Sequence, residues 1–139
     1  YHDAIYEAGR SDNEVCSGQL ARQAIARWLP DGGIDVERVV QLIELPARHG
    51  SLRGDELDDD AALFLDSDLA ILGAPPEVFD AYDRDIAAEY SGKVPGFLFR
   101  FNRRRFLKGV LAQPRIFFSD FFHARLDSQA RENLRRVTA

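Results

Sequence analysis

The sequence predicts an all-α fold of about six or seven helices, and three observations predict it. Apolar residues recur at three- and four-residue spacing in one segment after another. Helix breakers stand between those segments: Pro30-Asp31-Gly32-Gly33, Pro46, Gly73 with Pro75-Pro76, Gly92 with Pro95-Gly96, and Pro114. No stretch alternates with period two, and there is no internal repeat or low-complexity tract.

Tyr1 to Tyr6 reads as a helix end, followed by a turn at Gly9. Ser11-x-x-Glu14 has capping-box spacing, in which the Ser11 hydroxyl accepts from a free N–H of the new helix while Glu14 reaches back. That helix presents Leu20, Ala21, Ala24, Ile25, Trp28 and Leu29 as a core-facing stripe. A second begins near Asp35, carries Val36, Val39, Val40, Leu42 and Ile43, and kinks or stops at Pro46, which has no N–H to donate. Residues 51–60 are a polar, acidic loop. Ala61 to Gly73 is a helix with Gly73 as its stop. Within it Asp66 and Asp68 lie on nearly opposite sides, so one can face inward, where a carboxylate needs a metal, a cation or several hydrogen bonds.

Pro75 and Pro76 suit the first turn of a helix striped by Phe79, Tyr82, Ile86 and Tyr90. In the next, Phe97 to Leu111, the inward set is Phe99, Phe106, Leu107 and Val110, while most of Arg100, Arg103, Arg104, Arg105 and Lys108 splay into solvent. A last helix from about Asp120 buries Phe122, Leu126, Ala130, Leu134 and Val137.

At 139 residues and 45% hydrophobic, the chain can bury one substantial core, most simply as a single domain. Its 18 basic and 23 acidic residues give a net charge of −5, which argues against a general nucleic-acid binder. The single cysteine, Cys16, excludes an internal disulfide and fits a reducing cytoplasm. No apolar stretch is long enough to span a bilayer, so no membrane partner is expected. A first residue other than methionine, and no methionine anywhere, predict that the sequence begins inside a longer protein.

Metal-ligand side chains are densest at the start. His2 and Asp3 are adjacent, and with His49, Asp66 and Asp68 they supply the imidazole nitrogen and carboxylate oxygen that a divalent ion takes. If His2 and Asp3 lie on a helix they project about 100° apart, and other residues must complete the site.

The order of these motifs resembles the HD superfamily of metal-dependent phosphohydrolases. It runs from His2-Asp3-Ala4-Ile5-Tyr6 through Ser11-Asp12-Asn13-Glu14-x-x-Ser17 and Leu42-Ile43 to His49, then Leu65-Asp66-Ser67-Asp68-Leu69-Ala70-Ile71-Leu72-Gly73 and Glu89-Tyr90. The resemblance extends over nearly the whole chain, as far as Leu111 to Ile116. It implies a compact HD-like helical bundle holding one divalent ion of the Mn, Mg, Zn, Fe, Co or Ni kind. The implied metal ligands are His2, Asp3 and the Asp66-x-Asp68 segment, and helical periodicity does not choose between Asp66 and Asp68. Asn13 and Glu14 match the polar pair after HD, placed to orient water or substrate, and His49 matches a histidine facing the pocket. The sequence departs from the pattern at three points: the first family histidine would precede Tyr1, Pro46 replaces a threonine, and Gly18 replaces an alanine.

The expected activity is hydrolysis of a phosphate ester, with a nucleotide or small phosphorylated metabolite as substrate. Asp3 or Glu14 is the expected proton acceptor, and Arg10, Arg84 and Arg103 are candidates to neutralise phosphate. The alternative is a non-catalytic HD-fold module that binds a nucleotide or a protein. A third reading, a nucleic-acid surface on the basic-aromatic stretch Phe97 to Lys108, is weaker, because a core helix with a solvated face has the same pattern.

Overall fold

A computed structural model describes residues 1–52 and 54–139, with side chains at all of these except His49, Gly50, Ser51 and Asp55. The described residues contain six α-helices and no strand, as the apolar periodicity predicts. None of the helices is long and apolar enough to cross a membrane. Where the sequence predicts one domain, the backbone divides into two compact units, Tyr1–Ser51 and Leu52–Ala139.

The first unit pairs α1 (Asn13–Trp28) with α2 (Val36–Glu44), which runs on into a 3₁₀ helix over Leu45–Ser51. Tyr1 to Arg10 is not a helix end. It is a string of turns, with Ala4 N–H donating to Tyr1 O at 3.1 Å and Gly9 at φ +90°. The capping box does not form either. The helix begins one residue later than that motif needs, so the residue at the cap is Asp12, and its carboxylate takes the Arg10 guanidinium in place of a helix N–H.

The inner face of α1 also differs from the expected stripe. Asn13, Ser17, Gly18 and Ala21 are buried, whereas Leu20, Trp28 and Leu29 are exposed. Small residues here let α2 approach closely: a Cβ on Gly18 would stand 3.2 Å from Val40 Cγ1 and 3.4 Å from Glu44 Oε1. The start of α2 follows its sequence signal, since the Asp35 carboxylate accepts Arg38 N–H at 3.0 Å.

The second unit comprises α3 (Asp59–Leu69), a 3₁₀ turn at Ala70–Gly73, α4 (Pro76–Glu89), α5 (Gly96–Ala112) and α6 (Asp120–Thr138). Asp58 caps α3 by accepting Ala61 N–H at 2.9 Å, and Pro76 opens α4 where its missing N–H costs nothing. Leu72, Phe79, Leu107, Val110, Ile116, Phe117, Ala130 and Leu134 form the core. Phe106, expected inward, is exposed, and Phe99 is half-buried, its ring 5.2 Å from that of Tyr90.

The helix expected to run to Gly73 ends at Leu69, and Gly73 closes the 3₁₀ turn that follows. A Cβ there would lie 2.6 Å from Leu126 Cβ and 2.9 Å from Leu126 O, so the turn touches the backbone of α6 directly. Buried polar groups complete the joint. Asn133 on α6 donates to Leu72 O and Ala74 O, each at 2.9 Å. Arg131 donates to the carbonyls of Leu111, Gln113 and Pro114, filling acceptors that the end of α5 leaves open.

Candidate metal-binding segment

The segment bearing His2 and Asp3 is irregular backbone held to α1 by two buried side chains. Asn13 Oδ1 accepts Glu7 N–H at 3.1 Å while its Nδ2 donates to Glu7 O at 3.0 Å. Ser17 repeats the device one turn on: its Oγ accepts Ile5 N–H at 3.0 Å and donates to Ile5 O at 3.2 Å. Two side chains thus satisfy the main chain of a segment that has no secondary structure of its own. This is a correction for Asn13. It is buried and its carboxamide is used in both directions, so its role in this structure is to position the segment. The sequence carried the Ser17 signal only as part of a motif.

Because the backbone is not helical here, His2 and Asp3 are not splayed apart. Nε2 of the half-buried His2 stands 3.1 Å from Oδ2 of the exposed Asp3. Two ligands bound to one ion at about 2.1 Å, at right angles, would be separated by roughly 3.0 Å, so this pair fits adjacent positions on a divalent ion. Glu14, in the first turn of α1, is half-buried, and its carboxylate makes no hydrogen bond or ion pair among the described residues.

Arg10 is engaged elsewhere. Its guanidinium grips Asp12 in a fork, with Nη2 to Oδ2 at 3.0 Å, and this contact raises the arginine pKa further and lowers that of Asp12. It is therefore an exposed, locally paired cation. His49 falls within the 3₁₀ helix Leu45–Ser51, and its side chain lies outside the described residues.

In the second unit the structure separates the two aspartates that periodicity left equal. Asp66 is fully buried on α3, and its oxygens accept Phe118 N–H at 2.8 Å, Ser119 N–H at 2.7 Å and the Ser119 hydroxyl at 2.6 Å. Of the partners a buried carboxylate can take, it has several hydrogen bonds. Asp66 is thus corrected from metal ligand to structural anchor, while Asp68 is half-buried. Arg84 is exposed on α4. Arg103 is paired with Asp83, its Nε donating to Oδ1 at 3.1 Å and its Nη2 3.0 Å from the same oxygen.

Compared with known protein families, with curated proteins and with solved structures, the chain has no match.

Proposed function

We propose that the chain is a metal-dependent phosphohydrolase of the HD kind, acting in the cytoplasm on a phosphate ester such as a nucleotide or small phosphorylated metabolite. The observation that supports this most is the His2–Asp3 donor pair, 3.1 Å apart on a segment fixed by Asn13 and Ser17. Within the Asp66-x-Asp68 segment, which the resemblance implies as a source of the later ligand, Asp68 is the candidate, because Asp66 is committed to Phe118 and Ser119. A divalent ion bound by the His2–Asp3 pair would supply Lewis acidity toward a phosphoryl oxygen and toward water. Glu14 then accepts a proton from water, a role open to it because neither a cap nor an ion pair uses its carboxylate. Arg84, exposed and cationic, is the arginine left to meet substrate phosphate.

A second reading, a non-catalytic HD-fold module that binds a nucleotide or protein, is favoured by one observation: two expected site residues, Asn13 and Asp66, are spent on structure. Metal analysis and a phosphate-ester panel separate the two. The enzyme retains a stoichiometric divalent ion, loses it in His2→Ala and Asp3→Ala, and releases phosphate from some panel member. Retained ion without turnover selects the module, and a protein that takes up no ion sinks both.

A further inference from the structure

Along one side of α5 in the second unit runs a groove of about 480 Å³, a size typical of small-molecule sites. Its polar lining is Arg100, Arg103, Arg104 and Asp83, so cations outnumber carboxylates there. Phe99 and Phe101 also line it, with Leu107 and Val137 adding apolar surface. The excess is not inherited from composition, for the chain as a whole carries a net charge of −5 while α5 contains five basic residues and no acidic one.

The three guanidinium groups are unequally satisfied. Arg104 donates to Thr138 O at 3.0 Å and to Ala139 O at 2.8 Å. Arg103 lies against the Tyr82 ring, its guanidinium carbon 5.4 Å from the centroid. Its Nε donates to Asp83 Oδ1 at 3.1 Å, and its buried Nη2 lies 3.0 Å from the same oxygen without hydrogen-bond alignment, so the cation is ion-paired while that N–H lacks a directed acceptor among the described residues. Arg100 is exposed, and its guanidinium makes no ion pair or hydrogen bond among them. A buried guanidinium N–H not directed at an acceptor is costly even beside a carboxylate, and an anion entering the groove would supply an aligned one.

We propose that this groove binds a small phosphate monoester carrying an aromatic or apolar body, independently of the His2–Asp3 pair. The dianion meets Arg100 and the open donor of Arg103, and the body packs against Phe99 and Phe101. A nucleic-acid strand fits less well. Arg105 and Lys108 do not line the groove, and an extended polyanion would be repelled by the acidic remainder of the chain.

Isothermal titration calorimetry of the full chain with benzylphosphonate, a non-hydrolysable monoester mimic, tests this against inorganic phosphate and benzyl alcohol. Benzylphosphonate is expected to bind about tenfold tighter than either half-ligand. Arg100→Gln should weaken it about tenfold, by loss of a charge-assisted hydrogen bond. Phe101→Ala should weaken it roughly fivefold, by loss of apolar contact. Both residues are exposed, so the fold survives the changes. Arg105→Gln, the same charge change outside the groove, should shift affinity less than about twofold, and His2→Ala should leave it unchanged. Absence of binding, equal affinity for inorganic phosphate, equal losses in Arg100→Gln and Arg105→Gln, or dependence on His2 would each overturn the proposal. So would tighter binding of an oligouridylate whose affinity depends equally on Arg105 and Lys108.

Discussion

Asp66 Oδ2 accepts both the backbone N–H and the hydroxyl of Ser119, at 2.7 and 2.6 Å, across 53 positions of sequence. Ser119 is the cap of α6, its Oγ accepting Phe122 N–H at 3.3 Å. The buried carboxylate therefore holds the residue that starts the longest helix, close to that helix's positive end. Asp66→Asn turns an acceptor into an N–H₂ group facing N–H donors and should cost about 2–4 kcal/mol in urea unfolding. Ser119→Ala should cost about 1–2 kcal/mol. Unfolding midpoints of Asp66→Asn equal to wild type would refute the anchoring role.

Gly73 and Leu126 set the spacing between the 3₁₀ turn and α6. The added methyl of Gly73→Ala meets Leu126 Cβ at 2.6 Å and backbone oxygen at 2.9 Å, groups that cannot swing away. A loss of about 1–3 kcal/mol is expected from overpacking. Leu126→Ala should not rescue it, because the clashing Cβ and carbonyl remain. Rescue by that second change would mean that the contact is with the flexible part of the side chain.

Asp127 links acidity to folding. Burial alone would push its carboxyl up, but the Ile116 N–H at 2.8 Å and Arg131, with His123 adding, hold it below the usual carboxylate range. A carboxyl depressed in the folded state stabilises the fold above its unfolded pKa of about 3.9, and that contribution fades as pH falls through the folded value. Stability should thus fall on acidification below about pH 5, and Asp127→Asn should flatten that limb while costing roughly 1–3 kcal/mol near neutrality. An acid limb of unchanged slope in Asp127→Asn would assign the dependence to other carboxylates.

What the sequence made legible was local. Asp35, Asp58 and Pro76 begin helices where their chemistry predicts, because a cap is decided by residues three or four apart. Leu107, Ala130 and Leu134 reach the core through helical periodicity. The inner face of α1 was hidden because Asn13 and Ser17 are polar, and are buried only by bonding a segment that periodicity cannot place. Choosing Asp66 over Asp68 as the inward carboxylate requires knowing that Phe118 returns to it, 52 positions later. For the candidate site, residue identities were visible in His2 and Asp3. Their direct contact was not, since it depends on the segment leaving the helical path on which they would diverge.

That irregular path gives Asn13 a testable part in ion binding without making it a ligand. Its carboxamide closes a two-bond ring with the Glu7 main chain, and Ser17 closes another with Ile5, only three and two residues beyond His2 and Asp3 respectively along the same short segment. If these clamps preorganise the donor pair, Asn13→Ala should weaken divalent-ion affinity by about tenfold through the freedom restored to the segment, with both ligands intact. Hydrogen exchange at the Glu7 N–H should accelerate in the same variant, while α2 keeps its protection. Faster exchange with undiminished ion affinity would show that the clamp stabilises the segment but does not position the pair. A ligand role for Asn13 would instead abolish binding with exchange unchanged.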